Sequence, residues 1–383
     1  MRETAEKTKV FDQVIQQARI LSKEFKERAA HFDSSGEFPY ENFQALKERG
    51  FLSLTVPTEY GGKGLNLVEY LQVQEILAQG DAPTALSFGW QLGVVLENAE
   101  SRQWDEQSFQ HLCNKIIHDK ILLNLVQTEN ATGSPSRGAA PTTTATLEGS
   151  RWRINGRKSF ASMAAALDYS IATATILPSG NKGFFLIDHS LEGVSVEETW
   201  NSIAMRGTRS DDLILEDVIV EQDALLVEET KGKSTTRGWY LQIAAVYLGI
   251  AVAARDYTIQ FASELQPVSL PGPIKDVPEV RRKIGEIELA LFNAREVLYG
   301  TARKWVEHPE KRSEMSPDLA AAKHIATNKA NEVVDLCMRI VGARSLSADN
   351  PLQRHFRDVR AGLHNPPTDD AVVYSLADAV LRQ

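Results

Sequence analysis

Four short stretches of the chain hold residue types that do chemistry. The first is Gln127-Thr128-Glu129-Asn130-Ala131-Thr132-Gly133-Ser134, directly after a mainly apolar run over 121–126. Small hydroxyl residues and glycine let backbone amides point at a bound polar group; the same composition also makes an ordinary turn. The second is Asn155-Gly156-Arg157-Lys158-Ser159-Phe160-Ala161-Ser162. In an extended segment Phe160 and Ser162 project to the same side. A flat cofactor would use the ring for stacking and the hydroxyl for a hydrogen bond to a ring nitrogen; a half-buried strand is the plainer alternative. The third, Met205-Arg206-Gly207-Thr208-Arg209-Ser210, is a basic turn that either holds a phosphate or joins two strands. The fourth runs from His355 to Thr368 and ends His364-Asn365-Pro366-Pro367-Thr368. An imidazole changes charge near neutral pH, which suits His364 to proton transfer, with a structural histidine as the alternative.

These stretches need elements to position them. Residues 1–120 read as helical: Phe11, Val14, Ile15, Ala18, Leu21 and Phe25 recur at helical spacing. A helix is expected from near Asn66 to Gln79, and Asp81 stands as a cap two residues before Pro83. Residues 121–232 change character. The stretch 145–156 alternates around tight turns, and 169–177, 183–187 and 212–220 are further short apolar runs, which together predict a small, mostly β domain. Residues 233–383 turn helical again. The run 241–254 is nearly all apolar and should be buried on every side, and two long amphipathic helices are expected over 279–306 and 317–341. No glycine-rich βαβ fingerprint is visible, which argues against a dinucleotide-binding sheet.

Bulk properties narrow the classes. Of 383 residues, 43% are apolar and 24% charged, the balance of a folded protein, and the formal net charge of -9 offers nucleic acid no general attraction. Cys113 and Cys337 match no metal-ligand or redox spacing, so no metal is expected, and two buried thiols are a plainer reading than one disulfide. The charged N-terminus is no secretory signal. The longest apolar stretch, 243–254, is too short for a bilayer span. A soluble, cytoplasmic protein is expected.

Taken together and in order, the segments resemble the acyl-CoA dehydrogenase superfamily over about residues 10–380. The resemblance is carried by Thr55-Val56-Pro57-Thr58-Glu59-Tyr60-Gly61-Gly62, by Gln127-Thr128-Glu129 with Gly133-Ser134, by Met205–Ser210 followed by Leu215-Glu216-Asp217-Val218, by Arg339-Ile340-Val341-Gly342-Ala343, and by Arg357-Asp358-Val359-Arg360. It implies an α+β fold with an N-terminal helical domain, a central β-barrel-like domain and a C-terminal four-helix bundle domain. It also implies non-covalent FAD and a homotetramer. Gln127 and Thr128 would contact the flavin ring, and Ser134 the phosphates or the substrate edge. Phe160 stands where a tryptophan is usual against the ring, and Ser162 where a threonine is usual near flavin N5. Gly342 would approach the cofactor from a neighbouring subunit.

Three positions depart from the family pattern. The usual glutamate base falls on Pro366, the alternative base position on Trp239, and an arginine that contacts FAD across subunits on Phe261. Proline cannot take a proton. The resemblance therefore supports an FAD-dependent oxidoreductase acting on the CH–CH group of an acyl-CoA, with an electron-transfer flavoprotein or oxygen as electron acceptor. The alternative is a reduced-flavin monooxygenase acting on a small aromatic or organosulfur substrate. Relatives of that kind lack the glutamate, and some carry histidine, an acidic residue and proline in this loop; FMN is then possible, and His364 becomes the catalytic candidate. A non-catalytic flavin-binding protein is the remaining reading.

Overall fold

A computed structural model describes residues 2–133, 139–229 and 236–381. The N-terminal part is helical: α1 (Arg2–Ser35), α2 (Tyr40–Glu48), α3 (Leu67–Gly80), α4 (Ala82–Ser101) and α5 (Glu106–Asn114). The helix starts follow from their caps. The Asn66 side chain accepts from the Glu69 amide while the Glu69 side chain accepts from the Asn66 amide, a reciprocal cap on α3. Asp81 accepts from the Thr84 amide at 3.0 Å and Pro83 sits in the first turn of α4.

The middle of the chain carries the strands β1 (Leu123–Val126), β2 (Thr144–Glu148), β3 (Arg151–Ala161), β4 (Tyr169–Leu177), β5 (Lys182–Asp188), β6 (Val194–Glu197), β7 (Asp211–Glu221) and β8 (Leu225–Glu229). The barrel-like middle expected from sequence is corrected here. The strands form one open sheet in the order β6-β7-β3-β2-β4-β5-β8, with β1 pairing β4 beyond the end of β2. β6 and β8 end the order on opposite sides and do not pair with each other. Alternating burial reveals which face of a strand is covered, but closure requires a ladder between the two terminal strands, and nothing in the period of the side chains encodes that.

The sheet contributes to two apolar clusters. Leu123, Ile171 and Phe184 join the large core of the helices. Trp152, Ile154, Ala172, Phe185, Leu213 and Val220 belong to a second core of the sheet itself. The C-terminal part holds α6 (Leu241–Glu264), α7 (Pro278–Glu307), α8 (Ser316–Val341), α9 (Pro351–Ala361) and α10 (Asp369–Leu381). Every residue of α6 from Leu241 to Ala254 is buried, as its all-round apolar character requires. With the turn before it, α6 is long and apolar enough to cross a membrane by length and composition, and 89% of its most apolar window lies inside the fold. Cys113 and Cys337 are free and buried, and burial pushes both thiols up to about 12.

Candidate functional site

The segment after β1 is fixed from beneath by a buried ion pair. Lys158 on β3 is wholly inaccessible and Glu129 is 1% exposed. The Lys158 ammonium donates to Glu129 Oε1 at 2.5 Å and to Thr173 Oγ1 at 3.2 Å. Glu129 also accepts from the amides of Thr142 and Thr143 (2.6 and 3.1 Å) and from their hydroxyls. Burial alone would raise the Glu129 carboxyl. The Lys158 hydrogen bond, with those from Thr142 and Thr143, more than offsets it and holds the carboxyl down at about 2. The Gly133 amide closes a tight turn onto the Glu129 carbonyl at 2.7 Å, with Gly133 at φ +71°. Gln127 and Thr128, two residues and one residue before Glu129, are half-buried, and the Ser159 amide donates to the Thr128 carbonyl at 2.8 Å. The structure thus joins the first and second candidate stretches. Ser134 lies outside the described residues.

Phe160 and Ser162 do not share a face. A register shift between Lys158 and Ala161 in the β3–β7 ladder marks a bulge, and Phe160 sits there at φ +57°, a conformation an aromatic residue rarely adopts without surrounding constraint. The bulge turns the Phe160 ring outward, 62% exposed and edge-on to Trp200 at 5.9 Å. Ser162 is 6% exposed instead. Its hydroxyl lies 2.9 Å from that of Ser210, which lies 2.8 Å from that of Thr208. The third stretch therefore meets the second through a chain of hydroxyls. Ser159 Oγ, Asn124 Oδ1 and Trp200 Nε1 are buried and have no hydrogen-bond partner among the described residues, and buried polar groups ordinarily have one. The outward Phe160 ring and the unpaired buried groups are features that a flat, hydrogen-bonding ring system such as a flavin would use.

The turn at 205–210 is bolted to both ends of the chain. The Met205 amide donates to Asp358 Oδ1 at 2.6 Å. Arg357 pairs with Asp33 through both carboxylate oxygens (3.0 and 2.5 Å) and donates to the Ile203 carbonyl at 2.5 Å. Arg206 donates to the Asp33 carbonyl at 2.6 Å. Burial pushes the Asp358 carboxyl up to about 7 despite the Met205 amide and the nearby guanidiniums of Arg354 and Arg357.

After α9 the chain forms the loop 362–368. His364 is exposed there, while Asn365 and Pro366 are half-buried. Asn365 Oδ1 accepts from the Tyr247 hydroxyl at 2.5 Å. Asp369, beyond the loop, has one oxygen 3.0 Å from His324 Nδ1 and the other accepting from Asn328 at 3.1 Å. Trp239 is 3% exposed and donates through its indole to Glu97 Oε2 at 2.8 Å, while Arg237 holds Glu97 Oε1 at 2.7 Å. Trp239 lies so close to α4 that a Cβ on Gly93 would come within 2.1 Å of the indole, so only glycine admits that ring. Gly342 is exposed at φ +71°, with open space where a Cβ would go. Phe261 stacks on Tyr257 at 6.3 Å, and the Arg344 guanidinium lies 6.0 Å from its ring centre.

Sequence reasoning named Lys158 and Asp358 only as members of their segments, not as the groups that hold them, and did not single out Tyr247 or Trp200. Two left a signal. A lysine inside a strand (Lys158) and a carboxylate inside an amphipathic helix next to an arginine (Asp358) are each unusual unless paired.

Comparison with known proteins fixes the class. Residues 8–106, 124–218 and 241–365 match, in turn, the N-terminal, middle and C-terminal domain models of acyl-CoA dehydrogenase. The chain is 48% identical over 359 residues, 93% of each chain, to YdbM of Bacillus subtilis (strain 168), itself assigned only provisionally as an acyl-CoA dehydrogenase. It is 28% identical over 390 residues, 94% of this chain and 90% of the other, to dibenzothiophene monooxygenase of Rhodococcus qingshengii. Among solved structures, FMN-bound TdsC from Paenibacillus sp. A11-2 shares the fold with a TM-score of 0.86 at 24% identity, covering 97% of both chains. The chain belongs to the acyl-CoA dehydrogenase family, flavin-dependent oxidoreductases whose wider superfamily includes dehydrogenases, reductases and monooxygenases.

Proposed function

We propose that this chain is a monooxygenase that uses reduced flavin and O2 to oxidise a small aromatic or organosulfur substrate, with His364 at the reacting face. The observation that carries this reading is the loss of a free carboxylate at both positions from which the family resemblance would draw a base. Pro366 occupies one and Trp239 the other, and the nearest carboxylates in sequence and in contact, Asp369 and Glu97, have both oxygens engaged. Abstracting a proton beside a thioester needs such a base. Reduced flavin, when bound, supplies two electrons to O2, so that one oxygen atom enters the substrate and the other leaves as water. The likeness to dibenzothiophene monooxygenase supports the same reading.

In this reading Gln127, Thr128, Ser134, Phe160 and Ser162 surround the flavin, and Gly342 reaches it from a neighbouring subunit of a homotetramer. The cofactor is FMN in preference to FAD, because Phe261 stands in place of the arginine. The outward apolar residues of α10, with Tyr374 75% and Leu381 82% exposed, support an assembly that covers them. The polypeptide's part is to stack the ring on Phe160, to offer hydroxyls along Ser162, Ser210 and Thr208, and to hold an imidazole at the substrate.

A second reading, FAD-dependent dehydrogenation of an acyl-CoA with an electron-transfer flavoprotein as acceptor, is favoured by the 48% identity to YdbM. An anaerobic titration of the flavin-loaded protein with acyl-CoAs of graded length, followed at the oxidised flavin band, separates the two. No bleaching by any thioester is expected, together with oxygenated product when reduced FMN, O2 and a panel of aromatic and sulfur compounds are supplied. Bleaching by one chain-length class overturns the monooxygenase reading.

The Ser162→Ala variant is expected to stay folded, since one hydroxyl in a chain of hydroxyls contributes about 1 kcal/mol, and to slow flavin oxidation or reduction several-fold in single-turnover stopped flow. Unchanged rates would remove Ser162 from the flavin.

A further inference from the structure

The loop that carries His364 is held from behind by two buried polar groups that no motif marks. Lys323 on α8 is 2% exposed. Its ammonium donates to the Gly362 carbonyl at 2.8 Å and to the Pro367 carbonyl at 3.0 Å, drawing both ends of the loop onto one nitrogen. Tyr247 on α6 is wholly buried. Its hydroxyl ties Asn365, the residue next to His364, at 2.5 Å. Its ring packs on the loop's first residue so tightly that a Cβ on Gly362 would lie 2.8 Å from it. Asn331, two turns further along α8, donates to the Val359 carbonyl at 3.1 Å and steadies the end of α9.

A buried ammonium without a hydrogen-bonded carboxylate is an expensive way to close a loop, because apolar packing would do so at lower cost. Both buried groups act on the few residues around one exposed imidazole. We propose that Lys323 and Tyr247 are positioning residues, a two-point clamp that fixes the His364 imidazole relative to the flavin site. The clamp rests on the role of His364 given above. A catalytic group must be held to within a fraction of an ångström, and on a loop that precision has to come from neighbouring helices.

Tyr247→Phe keeps the ring on Gly362 and removes only the bond to Asn365. Lys323→Met keeps the buried volume and removes both carbonyl bonds. In the flavin-loaded protein, deuterium exchange at the imidazole C2 position, resolved by peptide mass spectrometry, reports each histidine separately. Either variant is expected to change the exchange half-life of His364 several-fold and to leave the other histidines unchanged. Turnover is expected to fall about tenfold with flavin affinity within twofold. Tyr247→Phe combined with His364→Ala is expected to be no slower than His364→Ala alone. An unchanged His364 half-life in Tyr247→Phe overturns the clamp whatever the activity shows, and this variant decides the matter if Lys323→Met does not fold. Full activity in His364→Ala would instead remove His364 from the reacting face, while the half-lives would still judge the clamp.

Discussion

Replacing His364 by alanine is expected to lower substrate oxidation by about a hundredfold or more, the usual contribution of a positioned acid–base group. Flavin affinity and thermal stability should stay close to those of the parent protein. His364 is exposed, so truncating it opens no cavity and leaves no buried group unpaired, and only chemistry remains to be lost. The rest of the loop offers no substitute. Asn365 is committed to Tyr247, the two prolines carry no titratable group, and Asp369 is committed to His324 and Asn328. Steady-state assays with reduced FMN, together with a flavin-binding titration, separate the two quantities. Activity within twofold of the parent would return His364 to the solvent-facing surface and shift attention to the hydroxyls of Ser162, Ser210 and Thr208.

The largest effect on stability is expected at Glu129. In Glu129→Ala the Lys158 ammonium stays buried with only Thr173 as a partner, and breaking a buried pair from one side costs roughly 3–5 kcal/mol. Replacing both, Glu129→Leu with Lys158→Met, removes the stranded charge and should restore much of the loss. Chemical denaturation of the three proteins makes the comparison. A single variant within 1 kcal/mol of the parent would show that water reaches the pair. The same carboxyl gives a pH signature. Its folded value, about 2, lies below the ordinary 4.5, so its contribution is present above pH 4.5 and is lost as the pH falls from there toward 2. Stability should therefore decline on acidification through that window in the parent and much less in the double variant.

Much of this architecture was legible in local pattern. The run 169–177 coincides with β4 and the pattern over 317–341 lies within α8, because hydrophobic period and capping act within a few residues. Asn66 and Asp81 cap where their side chains can reach an amide three residues on. What stayed hidden depends on partners far along the chain. Whether β6 meets β8 is settled by the twist and stagger of the whole sheet. The bulge at Phe160 arises from a mismatch between β3 and β7, so the expectation that Phe160 and Ser162 share a face failed although both residues had been singled out. The bonds from Lys158 to Glu129, from Tyr247 to Asn365 and from Lys323 to Pro367 join residues with no common local signal. The family resemblance drew attention to Pro366 and Trp239, but only the folded arrangement shows that Asp369 and Glu97 are already engaged.

The bolts around Met205 also bear on how the protein is made. Asp358 lies 153 residues beyond Met205 in the sequence, and Arg357 lies 324 beyond Asp33. A ribosome adds about 5–20 residues per second, so the 205–210 turn waits on the order of ten seconds for its anchor. During that interval the hydroxyls of Thr208 and Ser210 have no fixed frame to occupy. A chain ending between α8 and α9 would hold all eight strands and yet leave the Met205 amide without its Asp358 acceptor.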